Sequence, residues 1–326
     1  MTELPEAIGG HSTRLHVGYL LPTRDHILAG EDTLEPLLDQ ARRAETLGFD
    51  SVWAGESPLT RPRPDPLLVL SAVAAATTRL TLGTAVLLPA LRHPILLAHQ
   101  LATLDRLCEG RLVAGMGAGF PNSATKAQFA ALDVTFSRRV SRLEESIEAM
   151  RLLWSGCPVS FRGEHFSFDE IVLAPAPARR GGPPIWLAGG GPGLGRVARL
   201  ADGWLPYPPL VADYARDLAV IREHAVRPVT PALYATLCLD EDPERARQRL
   251  RASIERYYNA PLEAVEKVQA MFAGPADEAV RWLQSYVAAG ARQLVLRLAS
   301  DDHAAALAEV ADRVLPALRR TAAPER

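Results

Sequence analysis

Lysine is almost missing from this chain: only Lys126 and Lys267 stand among 36 basic residues, the other 34 being arginine, against 38 acidic residues. The formal charge is −2 and the pI about 6.5. A nucleic-acid footprint would gather basic residues on one face and raise the pI, so arginines spread along the whole chain speak against a nucleic-acid partner. The preference for arginine itself reads as genomic base composition. Cysteine is scarce as well. Cys108, Cys157 and Cys238 are an odd, widely spaced set without C-x-x-C, which signals neither a disulfide framework nor a zinc site and points to a reducing compartment. His16, His93, His99, His165 and His224 lack the i, i+4 or H-E-x-x-H spacing of a metal centre, and no metal is expected. No apolar run approaches the ~18 residues of a membrane span. The opening MTELPEAIGGHSTR is acidic and polar where a signal peptide is basic and then apolar, so a cytoplasmic location without membrane contact is expected. No G-x-S-x-G elbow occurs, and no loop Ser or Cys has an evident base beside it, which leaves nucleophilic hydrolysis without support.

What is present is apolar residue in quantity, 48% of 326 residues, enough for a sizeable core. Short β-branched or apolar runs alternate with longer Ala, Leu, Arg and Glu-rich stretches at helical spacing, the signature of βα units around a parallel sheet. Residues 16–21 (HVGYLL), 51–56, 81–88 and 111–119 read as the first four strands, with helices over 33–47, 66–77, 94–107 and 137–154. The rhythm then breaks. Residues 158–173 carry two short alternating runs around Arg162-Gly163, which suggests a β-hairpin inserted between units. Strands over 185–190, 202–206, 232–239 and 293–298 follow, with helices over 196–201, 214–224, 244–271, 276–289 and one ending near Leu318. Eight strands and at least eight helices favour one (β/α)8 TIM barrel spanning 1–326, with a small insertion after the fourth unit. Some 13 residues at the start and 7 at the end are expected to be loose.

In such a barrel chemistry gathers at the C-terminal ends of the strands. Glu56 ends an otherwise apolar strand, where desolvation can raise its pKa and suit it to general acid/base work; the bland alternative is a structural ion pair, for example with Arg24. Gly115 to Gly119 (GMGAG) presents a face almost without side chains, against which a flat ring could lie or barrel layers could pack closely. Gly189-Gly190-Gly191-Pro192-Gly193 runs into a helix and could wrap a phosphate with backbone N–H groups, or be a bare turn. It is neither a G-x-G-x-x-G in phase nor a P-loop. A phosphate nest with few reactive side chains suggests a borrowed cofactor.

These residues resemble the bacterial luciferase-like flavin and deazaflavin oxidoreductases. The likeness extends over about residues 15–298 and rests on AETLGFDSVWAGE at 44–56, Leu82-Gly83-Thr84-Ala85-Val86, Arg92-His93-Pro94, GMGAG at 115–119, Phe136 with Arg139, Arg142 and Glu145, the Gly189 to Gly191 run, Ala201-Asp202-Gly203-Trp204 and Gly274-Pro275. The resemblance implies a (β/α)8 barrel, often dimeric, that holds reduced FMN or coenzyme F420 over the strand ends, with FMN ranked ahead. Thr84, Ala85 and Val86 would form a bulge against the ring, with a non-prolyl cis peptide at Ala85–Val86. Gly117 and Gly119 would lie by the ring or its side chain, and Gly189, Gly190, Gly191 and Gly193 would hold the phosphate. Gly191 and Pro192 stand where FMN-binding relatives carry hydroxyls, which keeps F420 and its singly charged phosphodiester in play. Ser57 replaces a histidine that many relatives place after the acid, and Phe120 an acid of the sugar-phosphate dehydrogenases. The implied function is a monooxygenase using O2 and reduced flavin, the latter supplied by a flavin reductase as partner, on a small organic substrate; F420-dependent hydride transfer and a non-catalytic flavin-binding protein are the alternatives. Glu56, with Ser57 and Arg24, would do the chemistry, and Phe120, Trp204 and Tyr207 would line an apolar substrate pocket. Specificity is expected from the loops at 60–64, 120–129 and 158–173.

Overall fold

The computed structural model describes residues 14–321. The expectation of loose ends therefore falls outside the described residues, save that Arg320 and Thr321 close the last helix, Leu315–Thr321. Eleven strands occur among the described residues: β1 (His16–Leu20), β2 (Ser51–Ala54), β3 (Thr81–Thr84), β4 (Leu112–Met116), β5 (Val159–Arg162), β6 (Ser167–Ile171), β7 (Ile185–Leu187), β8 (Gly203–Trp204), β9 (Thr230–Leu239), β10 (Met271–Gly274) and β11 (Gln293–Leu298). Eight of them pair in parallel in the order β1-β2-β3-β4-β7-β8-β9-β11, and β11 returns to β1, which closes a barrel. This is the expected (β/α)8 architecture, with β5 and β6 as the inserted antiparallel hairpin.

The barrel interior is filled from below by two tryptophans. Trp53 of β2 and Trp186 of β7 meet with ring centroids 5.3 Å apart, packed with Leu20, Val113, Leu205, Ala232 and Val295. Glycines on neighbouring strands make room for them. A Cβ on Gly83 would lie 2.1 Å from the Trp53 ring, and one on Gly203 2.4 Å from Trp186. Trp53 donates its indole N–H to Ser51 Oγ at 2.8 Å, and Gln293 donates to the same oxygen at 3.0 Å, so the polar edge of the ring is satisfied inside the core. Such a plug leaves the C-terminal mouth as the open end.

Two readings of the chain need correction. The stretch 244–271 is not one helix: Pro243–Tyr258 ends at Asn259, whose left-handed φ of 48° caps it, and a short turn Leu262–Glu266 leads into β10. β10 runs along the upper half of β9, with Met271 opposite Thr236 and Gly274 opposite Leu239. The segment between helix and strand folds over the barrel mouth. The helix read from Ser137 begins at Arg139, after a 3₁₀ turn at Phe136–Arg138, and no side chain caps it. A helix at Ser123–Ala131, capped by Asn122 Oδ1 on the Thr125 amide at 2.8 Å, was not legible in the pattern.

Candidate active site

Past β3 the chain leaves the barrel wall and rejoins it. Thr84 ends the strand, the Ala85–Val86 peptide is cis as the resemblance implied, and Leu87 then bridges to Met116, its N–H on the Gly115 carbonyl at 2.8 Å. Ala85 and Val86 thus stand into the barrel mouth, beside the ends of β4 and β7. Thr84 does not. It is fully buried and its hydroxyl donates to the Gly115 carbonyl at 2.7 Å, so its role is to hold the bulge rather than to touch a cofactor. Gly115 is small because the bulge crosses it closely: a Cβ there would sit 1.9 Å from the Thr84 carbonyl oxygen. Gly117 faces Val86 in the same way, at 2.8 Å from its Cγ2, and Gly119 takes a left-handed φ of 87°.

Two confluent cavities open above this floor. The larger, about 660 Å³, runs from Glu56 past Gly117 and Gly119 to Gly189, Gly190 and Gly193. The other, about 350 Å³, lies over Leu20, Val86 and Leu205 and is roofed by the 258–269 segment, with Tyr258, Val265 and Gln269. Phe120 and Tyr207 border both cavities. Trp204 does not. It is fully buried, stacks on Tyr214 at 5.0 Å, and donates its indole N–H to the Gly189 carbonyl at 2.7 Å. Its role is to anchor the glycine turn from beneath. Replacing Trp204 with Phe should cost about 1 kcal/mol for that hydrogen bond, read as a lower midpoint in urea unfolding; an unaltered midpoint would show the turn to be held without it.

The glycine turn forms a 3₁₀ turn, Gly191–Gly193, leading into the helix Leu194–Leu200. Among the described residues, the amides of Gly189 and Gly190 have no backbone acceptor, and no atom within 4 Å meets a Cβ built on Gly191. Gly191 itself is exposed and does not border the cleft. Arg139 and Arg196 flank the turn. Arg196 is held by Glu144 at 2.8 Å, whereas the Arg139 Nε has no partner and its guanidinium lies 4.0 Å from the centroid of Phe136.

Glu56 is buried at the other end of the cleft, its side chain 4% exposed. It is ion-paired, but with Arg92 and not with Arg24, and its Oε2 accepts from the Leu88 amide at 2.6 Å. Arg92 reaches it from the turn after β3 and is itself steadied by Asp65 at 3.1 Å, the carboxylate that caps the helix Pro66–Ala76. Burial raises the Glu56 pKa above the ordinary carboxylate value, against the opposing pull of the Arg92 charge and the Leu88 amide. Ser57 borders the cleft, yet its Oγ accepts from the Arg61 amide at 3.1 Å and serves a turn. Arg24 also borders it, but is committed to the carbonyls of Tyr257 and Arg61 at 2.9 and 2.7 Å.

Of the loops expected to set specificity, 60–64 and 120–129, as far as Gln128, reach the cavities, and the hairpin does not. Its turn is tied instead to Glu145, which accepts from the amides of Glu164, His165 and Phe166. Tyr234, Tyr258 and Gln269 were missed by sequence reasoning; Arg61 and Arg63 fell within the 60–64 loop without being singled out, and Arg92 was named only in the family likeness. The only sequence signal for Tyr258 and Gln269 was the Asn259-Ala260-Pro261 break in an otherwise helical stretch.

A family description of luciferase-like monooxygenases matches residues 15–318, and the chain belongs to that family. Among curated proteins it is 30% identical over 318 residues to the F420-dependent glucose-6-phosphate dehydrogenase of Amycolatopsis mediterranei, covering 87% of this chain and 94% of that protein. Among solved structures it resembles a monooxygenase from Streptomyces bottropensis (25% identity, TM-score 0.78, 93% and 99% of the two chains). An F420-dependent secondary alcohol dehydrogenase has the same fold (23% identity, TM-score 0.77, 94% and 99% of the chains). The chain is thus a luciferase-like oxidoreductase. Among the described residues no helix is long and apolar enough to cross a membrane.

Proposed function

We propose that this protein is a coenzyme F420-dependent oxidoreductase that transfers hydride to or from a small organic substrate. The observation that carries the reading is the near full-length similarity to curated dehydrogenases that use F420, which reverses the order in which the sequence ranked FMN and F420. The residues present fit such a group. Val86, Gly117 and Gly119 offer a floor with few side chains for a flat ring, and the free amides of Gly189 and Gly190, with Arg139 and Arg196, form a donor set for a phosphodiester without any hydroxyl. When bound, the deazaflavin supplies a two-electron hydride acceptor or donor.

The chain's own residues do the rest. The bulge and the Gly117 end of β4 orient the ring, the 258–269 segment excludes water from above, and Glu56 accepts or returns the proton that accompanies hydride transfer at the substrate. Tyr207 is pushed up to about 12 by burial and stays a neutral hydrogen-bond donor at the cavity wall. A second reading, oxygenation with reduced flavin supplied by a reductase, is favoured by the likeness to the Streptomyces monooxygenase. Anaerobic titration with reduced F420 and with reduced FMN separates them. Tight F420 binding without consumption of O2 on aeration is expected; preference for FMN with O2 uptake would replace this reading by the second. Binding without turnover on any of a broad panel of alcohols and ketones would leave a cofactor-binding protein.

A further inference from the structure

The mouth of the cleft carries arginines that have no carboxylate partner among the described residues. Arg24, Arg61 and Arg63 all border the mouth, and among the described residues none has a carboxylate within ion-pair distance. Arg63 reaches the Thr23 hydroxyl at 3.1 Å and the Tyr257 hydroxyl, and its guanidinium packs over Gly55 next to the Ala85 carbonyl. Among the described residues the Arg61 guanidinium has no hydrogen-bond partner; it lies 5.4 Å from the centroid of Tyr258, at the junction of the two cavities. Arg24 and Arg297 also close on Tyr257, at 4.6 and 3.9 Å, and Asp25 pairs with Arg297 at 3.4 Å. Burial, and next the Arg63 charge, bring Arg24 down to about 9, whereas Arg63 is raised against burial by the Tyr257 hydroxyl it touches. Tyr257, which burial would raise, is held below its ordinary value by Arg63, Arg297 and Arg24.

The rest of the smaller cavity is mostly apolar, with Leu20, Val86, Leu205, Val265 and Val268 in its wall, and Asn122 and Gln269 as its polar side chains beside the tyrosines. We propose that Arg61 and Arg63 form an oxyanion-receiving end of the substrate cavity, so that the substrate is an apolar molecule terminating in a carboxylate or a phosphate. Two guanidinium forks two residues apart on one loop suit the paired oxygens of such a group, and its charge relieves the repulsion among the three arginines. The assignment rests on the mouth cavity being the substrate site, as in the function proposed above.

The test is calorimetric titration of the full-length protein, with and without F420, using phenylbutyrate, its neutral amide phenylbutyramide, and phenylbutyl phosphate. The acid should bind roughly tenfold or more tighter than the amide, the range of a hydrogen bond to a charged group, and the margin should shrink as salt is raised. Arg61→Gln should abolish the margin and Arg61→Lys should restore part of it, with the melting temperature unchanged because, among the described residues, the Arg61 side chain has a ring contact with Tyr258 and no hydrogen bond or ion pair. The phosphate probe against the acid tells which oxyanion is preferred. Equal binding of acid and amide, no saturable binding of either charged probe, or a margin that survives in Arg61→Gln would overturn the proposal. So would loss of F420 affinity in Arg61→Gln with an unchanged acid-to-amide ratio, which would give the guanidinium to the cofactor. Failure of F420 to bind the unaltered protein, with the ratio intact, counts instead against the F420 reading alone.

Discussion

Glu56→Gln is expected to lower kcat by a factor of roughly 10² to 10⁴, the usual contribution of a positioned general acid or base, with little change in KM. Glutamine keeps the acceptor for the Leu88 amide, and Arg92 retains Asp65, so the local structure survives the loss of one charge. What it removes is the group that exchanges a proton at the cleft. The pH dependence provides the second readout. Burial raises the Glu56 pKa, so a step that needs the carboxylate should gain rate as pH climbs through a value above the ordinary carboxylate range, and the variant should lack that limb. The linked stability has the opposite sign. For an acid whose folded pKa is raised, the favourable contribution is fully present below the unfolded value and is lost as pH rises through the folded one. A variant with wild-type kcat, or one whose pH–rate profile keeps its rising limb, would leave Glu56 a structural ion-pair partner only.

Gly115→Ala should destabilise the fold by about 3 kcal/mol or more, at the upper end for overpacking, and weaken cofactor binding as well. The added Cβ would meet the Thr84 carbonyl oxygen at 1.9 Å and its carbon at 3.1 Å, and backbone cannot swing aside as a flexible side chain can. Relief requires moving the Ala85–Val86 bulge, which is the floor of the cleft. Gly195→Ala provides the contrast. Gly195 lies in the helix Leu194–Leu200 with nothing within 4 Å of its Cβ position, so the same change there should stabilise by about 0.4 to 1 kcal/mol through the unfolded chain. Thermal midpoints of the two variants, with cofactor affinity measured on each, decide the matter. Equal midpoints would show that the bulge yields to the strand beneath it.

The barrel was legible because its information is local and periodic. Each βα unit states itself through a short apolar run, a turn residue and a helical stripe, and so residues 16–20, 51–54, 81–84 and 112–116 came within a few positions of their reading. Glu56 could be singled out for the same reason, as an acid ending an apolar strand, and the glycine clusters as places where backbone must come close. The partners of these residues were another matter. That Glu56 pairs with Arg92 rather than Arg24 depends on how two βα loops lie side by side, and no spacing along the chain encodes that. Trp204 looked like a pocket residue and is an anchor, because strand alternation puts its ring into the layer between barrel and helix, where the Gly189 carbonyl lies in reach of its N–H. The three arginines gathered on Tyr257 come from residues 24, 63 and 297, and only closure of the barrel, which sets β11 beside β1, brings them together. Sequence determined which elements form and where chemistry would gather; tertiary structure decided which charges meet, since electrostatic partnership acts through space between segments whose separation along the chain carries no signal.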